Sequence, residues 1–147
     1  MLLQIFVGSV LLIVNITMAA IAAMLLEVGF VKSHRWLLRE PHRLKLVVLV
    51  AAVSIWLLGV ITASVWIWAG AYYALGTFAT LEESVYFSIV MFTTLGLGDV
   101  ILPVEWRILS GMEAANGFIN FGLLSALFIE ALRQVRLSQV ELRKRRD

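Results

Sequence analysis

The residues best placed to do chemistry lie between positions 93 and 99. Thr93-Thr94-Leu95-Gly96-Leu97-Gly98-Asp99 brings two hydroxyls, two glycines at alternate positions and one carboxylate into seven residues. No helical period runs through the stretch, and Pro103 closes the loop that follows. Irregular backbone of this kind, set in an apolar chain, survives at membrane depth only where it is buried in protein or lines a watery cavity. Residues for enzyme chemistry are missing. The chain has no cysteine, hence no disulfide, thiolate nucleophile or cysteine metal site, and His34 and His42 are too few for a histidine-rich metal centre. There is no phosphate loop, paired His-Glu set or nucleophile arrangement, so the reading is not an enzyme.

The elements that must hold this loop follow from the charges. Of 147 residues, 61% are hydrophobic and 15% charged, well short of the roughly 25% charge of a soluble domain. Disorder is excluded on the same grounds. Leu2 to Leu26 carries no charge, and about 20 apolar residues suffice to cross a bilayer as a helix. A second uncharged run, Leu46 to Leu81, is too long for one span; Gly70, Tyr72, Tyr73 and Gly76 place the helix end near residue 71. Ser84 to Gly98 is uncharged but too short to cross and return, which makes it re-entrant. Thr80-Leu81-Glu82-Glu83 reads as a capping box that starts a short helix from Leu81 to Phe92. A third apolar stretch runs from Val104 to about Leu132 with Glu105, Arg107, Glu113 and Glu130 as its charges.

Orientation follows from the basic residues. Lys32, Arg35, Arg39, Arg43 and Lys45 lie between spans one and two, and six more follow span three, leaving only Arg107 elsewhere. Both clusters are cytoplasmic if the N-terminus is outside and the re-entrant loop enters from the outer face. A cleaved signal peptide over residues 1–26 fits less well, since the segment lacks a basic start and its apolar run is too long. With no targeting signal and a small size, a bacterial inner membrane is the expected location.

Residues 93–99 resemble the selectivity filter of potassium channels: a threonine pair, an aliphatic residue, Gly, an aromatic residue, Gly, then Asp. The match fails only at Leu97, where Tyr or Phe is usual, although leucine occurs there in some two-pore-domain channels. A small-residue packing patch is the alternative for Gly-Leu-Gly alone. The resemblance implies a tetramer. In it, carbonyls of Thr94, Leu95, Gly96 and Leu97, with the Thr94 hydroxyl, form stacked oxygen rings that replace the hydration shell of a potassium ion. Gly96 and Gly98 supply the backbone freedom that aims the carbonyls at one axis. The pore helix would point its negative C-terminal end at the cavity. Thr93, Asp99, Tyr86, Phe87 and Glu113 are the expected filter supports, with Asp99 at the outer mouth bonding back to the pore helix. Leu97 cannot form the outward hydrogen bond of a tyrosine, so the filter is expected to rest more on packing and to be less rigid or less selective. The position of a pore-helix glutamate found in some relatives is Val90 here.

Gly117-Phe118-Ile119-Asn120-Phe121-Gly122-Leu123-Leu124-Ser125-Ala126 is similar to the inner helix of the same family. Gly117 matches a hinge, and Phe121, Ser125 and Ile129 match cavity or gate positions. For Gly117 and Gly122 close helix packing stands beside bending. Asn120 and Ser125 either hydrate the ion or bond a neighbouring helix. Glu113 either supports the filter or bonds between helices. Glu130 is expected to pair with Arg133 or Gln134. No span carries the arginine rows of a voltage sensor. Arg35, Arg39 and Arg43 read as orientation and anionic-lipid contacts, and His34 and His42 as weak candidates for pH response.

The expected fold is all-α: three transmembrane helices and a re-entrant pore helix with its filter loop, in tetrameric potassium-channel architecture. Residues 1–31 form an additional N-terminal helix, 32–45 a basic loop, 46–132 the pore domain and 133–147 a basic tail. The resemblance covers roughly 44–133. The expected function is passive potassium conduction; a weakly selective cation channel and a non-conducting regulatory subunit are the alternatives. Expected partners are three further copies and membrane lipids, with no nucleic acid, and no cofactor beyond the permeant potassium ion. The first span is expected to pack on the lipid side through Gly8, Ala19 and Ala23.

Overall fold

The computed structural model describes the backbone of residues 1–37 and 42–144, and side chains within 1–29, at 32 and over 47–133. The architecture is all-helical. Helix α1 spans Leu2–Leu37, α2 His42–Ala74, α3 Leu81–Phe92 and α4 Arg107–Lys144, the last entered through a 3-10 turn at Val104–Trp106. Three of these are long and apolar enough to cross a membrane: Leu2–Gly29, Val47–Ala74 and Val104–Arg133. α3 has 12 residues and is too short to do so.

Helices α1, α2 and α4 run beyond the limits that the charges suggested. α1 continues through the basic residues to Leu37, α2 starts at His42 and ends at Ala74, and α4 continues to Lys144. Charge ends a membrane span but not a helix, since Lys, Arg and Glu are good helix formers. The side chains of His34, Arg35, Arg39, His42, Arg43 and the tail beyond Arg133 lie outside the described residues.

α1 lies parallel to α4. Gln4 Oε1 accepts the backbone N–H of Ile108 at 3.1 Å, in the first turn of α4, where helix N–H groups lack internal partners. A turn further on, Gly8 faces Met112 and Leu109, and at the far end Ala23 and Glu27 face Leu127 and Glu130 across a cleft. α2 runs antiparallel to α4, with Tyr72 against Glu113 near the start of α4 and Val60 clustered with Leu124 further along it. Two apolar clusters result. The larger surrounds Trp68, Tyr72, Phe87 and Phe92 at the end that carries α3. The smaller joins Ala19 and Ala22 of α1 to Val60 and Leu124. Close approach of α1 thus uses Gly8, Ala19 and Ala22, while Ala23 is half-buried.

Candidate functional site: the re-entrant helix and its loop

α3 begins where the capping residues put it. Thr80 is extended (φ −126°, ψ 153°) and its hydroxyl accepts the Glu83 N–H at 3.2 Å, which satisfies one of the otherwise orphaned first-turn donors. Ser84 adds a bond from its hydroxyl to the Thr80 carbonyl. The helix is fixed by its aromatic side. Phe87 is buried, with ring centroids 5.2 Å from Tyr72 and 5.0 Å from Phe78. Phe87 therefore anchors α3 to α2 and to the connection between them.

At the C-terminal end the unpaired carbonyls of α3 receive the first N–H groups of the loop. Thr94 N donates to Met91 O at 2.9 Å, and Leu95 N and Gly96 N both donate to Val90 O, at 3.0 and 3.3 Å. Thr93 closes the helix through its hydroxyl, which donates to Ile89 O at 2.7 Å. The N–H groups of Thr94, Leu95 and Gly96 thus point back to the helix. Thr94 (φ 59°), Gly96 (φ 58°) and Gly98 (φ 76°) adopt positive φ, whereas Leu95 and Leu97 between them do not. This alternation turns successive peptide planes so that their carbonyls face one side, which glycine allows without strain and Thr94 does at a cost. Thr94, Leu95, Gly96, Leu97 and Gly98 are all exposed in the single chain.

Asp99 follows the loop and bonds back to α3: the Tyr86 hydroxyl donates to its Oδ2. That bond, with the backbone N–H groups of Asp99 and Val100, holds the carboxyl below the usual carboxylate range, and it pushes the tyrosine hydroxyl up. Tyr86 is committed to Asp99, and Leu97 has no hydroxyl to offer the helix.

Glu113 is fully buried in α4. Tyr72 Oη of α2 donates to its Oε2 at 2.7 Å, and the Ser88 hydroxyl of α3 lies against Oε1 and against the Val65 carbonyl at 2.9 Å. One carboxyl group thus joins α2, α3 and α4, and its partner Ser88 lies two residues before Val90, whose carbonyl holds the loop. Of the two readings expected of Glu113, the bond between helices is the one these contacts make. Sequence reasoning missed its partners Ser88 and Tyr72. Their types are ordinary for an apolar helix, and only the pairing across the fold distinguishes them.

Gly117 touches the other end of α3. A Cβ there would lie 1.8 Å from the Phe92 carbonyl oxygen, so the contact of α4 with the helix end requires glycine. Gly122 has no neighbour within 4 Å, and α4 continues as one helix through both. Phe121 packs 5.9 Å from Phe92 and, with Ser125 and Ile129, remains accessible on one side of α4. Asn120 is buried and donates to Asn116 at 2.9 Å, away from that side. Glu130 pairs with Arg133 at 3.4 Å on the surface. Among the described residues no group of three or more His, Cys, Asp or Glu is placed to hold a metal; carbonyl oxygens are the donors this site offers.

A short re-entrant helix, a loop of alternating handedness after it and two flanking spans define a membrane pore protein. The family model described as "Ion channel" matches residues 46–134, more than half of the chain. The chain belongs to this family, the two-transmembrane potassium-channel pore family, and carries an extra N-terminal helix outside the matched region. It is an integral membrane protein of a family that is not an enzyme class. No curated protein and no solved structure matches the chain.

Proposed function

We propose that four copies of this chain surround one axis and conduct potassium passively through the loop at Thr94–Gly98. The alternation of positive φ at Thr94, Gly96 and Gly98 carries this reading, because it turns consecutive carbonyls to one side while the N–H groups of Thr94, Leu95 and Gly96 bond α3. Stacked carbonyl rings replace the hydration shell of the ion. Exposed, irregular backbone in the hydrocarbon region must be covered by protein or face water, and one chain does neither for this loop. Fourfold closure does both, and cyclic assembly is the ordinary way to close such a ring. Phe121, Ser125 and Ile129 then line the cavity or gate below the filter, and Asp99 draws cations to its mouth. The basic segments lie in the cytoplasm by the positive-inside rule, with the N-terminus outside, in what we take to be a bacterial inner membrane. None of the described spans carries the regular arginines of a voltage sensor.

Leu97 favours a second reading, a weakly selective cation pore. It removes the side-chain hydrogen bond that a tyrosine would offer, and Tyr86 is already bonded to Asp99. Liposomes containing only the purified chain separate the readings. Potassium and rubidium flux well above sodium flux is expected, and Leu97→Tyr is expected to raise the potassium-over-sodium ratio. Equal flux of the three ions would establish the weakly selective pore, and no flux a non-conducting subunit.

A further inference from the structure

Between the two apolar clusters lies a layer of buried polar side chains. On α1, Leu11 belongs to the larger cluster and Met18 to the smaller one, and Asn15 sits between them, fully buried. On α2, Ser64 is buried between Val60 of the smaller cluster and Val65 of the larger, with Trp68 one turn further on. On α4, Asn116 and Asn120 are buried between Met112 and Leu124. Three helices therefore place amides and a hydroxyl at one depth, beside Gly117.

The layer is not internally satisfied. Asn15 Oδ1, Ser64 Oγ, Trp68 Nε1, Asn116 Nδ2 and Asn120 Oδ1 are buried without a hydrogen-bond partner, and they are the only such side-chain atoms among the described residues. Every other end of these amides that bonds does so locally: Asn15 Nδ2 to the Leu11 carbonyl, and Asn120 Nδ2 to Asn116. The five atoms comprise two donors, two acceptors and one hydroxyl that can be either. A cation would find donors among its ligands, and an anion would find acceptors. A lipid chain offers no hydrogen bonds. A neighbouring copy cannot reach atoms already covered by their own chain.

We propose that the junction of α1, α2 and α4 binds internal water, which bridges these five groups and keys the additional helix to the pore domain. A buried water makes about three hydrogen bonds to such groups and both donates and accepts, which fits this mixed set. The bridge also fixes axial register. Sliding α1 by one turn in either direction would move Asn15 out of the layer and into one of the apolar clusters, where its amide has no partner. Gly8 and Ala19 allow close approach but would permit such sliding; Asn15 does not.

Solid-state NMR on the labelled full chain in lipid vesicles, with magnetisation transferred from water, tests this. Trp68 Nε1–H and the Asn116 side-chain amide are expected to show water cross-peaks. Trp56 Nε1–H, which donates to the Ala22 carbonyl at 3.2 Å, is expected to show none. Absence of both cross-peaks, or transfer to them from lipid chains instead, would overturn the proposal. Asn15→Leu is expected to abolish the Asn116 cross-peak, and an unchanged one would show that the three helices do not share the water. Should that variant fail to assemble, Trp68→Phe keeps an aromatic ring, smaller than the indole, and removes one donor. It is expected to weaken the Asn116 cross-peak, and no change would again overturn the proposal.

Discussion

At the scale of the residue, the loop is held by hydrogen bonds from its own N–H groups to α3, and the exposed carboxylate of Asp99 follows it. The bond from Tyr86 stabilises the ionised carboxylate and so lowers its pKa. The sign follows directly: a depressed pKa keeps the charge as external pH falls and surrenders it only in stronger acid. Removing the hydroxyl returns the carboxyl toward its ordinary value, so Tyr86→Phe should lose cation flux at a higher external pH than the wild type. Flux into liposomes titrated from the filter side measures this, and coincident curves would mean that Asp99 does not govern entry. Asp99 and the glycines were legible in the sequence because their types are unusual in an apolar run. Tyr86 was expected among the filter supports and Asp99 to bond back to the pore helix, and the Tyr86–Asp99 hydrogen bond joins these two residues. The partners of Glu113 were not legible, since nothing in the spacing of Tyr72 and Ser88 sets them apart from ordinary core residues.

At the scale of the element, the pore helix is held at both ends by different physics. Its start is specified locally by Thr80, which is why the range Leu81–Phe92 could be read directly. Its end is specified by contact, where Gly117 of α4 sits against the Phe92 carbonyl. The sequence left bending and packing equally open at Gly117, because glycine serves both. The contact supplies a packing reason for the residue. Gly117→Ala then sets two effects against each other. Alanine favours a helix by roughly 1 kcal/mol over glycine, but its Cβ would stand 1.8 Å from a backbone oxygen that no rotamer can move. Overpacking of this kind typically costs about 1–3 kcal/mol, and a contact with backbone belongs at the upper end. Net destabilisation is therefore expected, together with loss of flux as α4 is pushed from α3. Gly59→Ala on α2, with no neighbour within 4 Å, is the control and should be neutral or slightly stabilising. Thermal unfolding of the two variants in one detergent compares them, and equal stability would remove the steric role of Gly117. The uncharged runs marked the apolar spans, and α1, α2 and α4 continue past them as helix, because charge patterns report where the bilayer ends while the helices continue on their own propensity.

At the scale of the whole molecule, the loop is the part of the single chain that its own helices leave uncovered. The chain's interior is packed and its helices are joined by Glu113, Gln4 and the two apolar clusters, yet the loop at Thr94–Gly98 stands exposed. If four chains close around that loop, the ion sites exist only in the assembly. Any ligand that binds the assembled form and not the separated chains stabilises the assembly by mass action. Potassium should therefore raise the temperature at which the oligomer dissociates, and sodium should do so less if the rings are selective. At a concentration about 100 times the dissociation constant the gain is roughly 2.7 kcal/mol, enough to move a dissociation curve visibly. The measurement is made on full-length protein in detergent, following the species of four times the 16.4 kDa chain mass as temperature rises in matched potassium, sodium and large organic cation salts. Identical curves in all three would mean that no cation site forms on assembly. Equal protection by potassium and sodium would show that the site forms but that Leu97 leaves it unable to tell the ions apart.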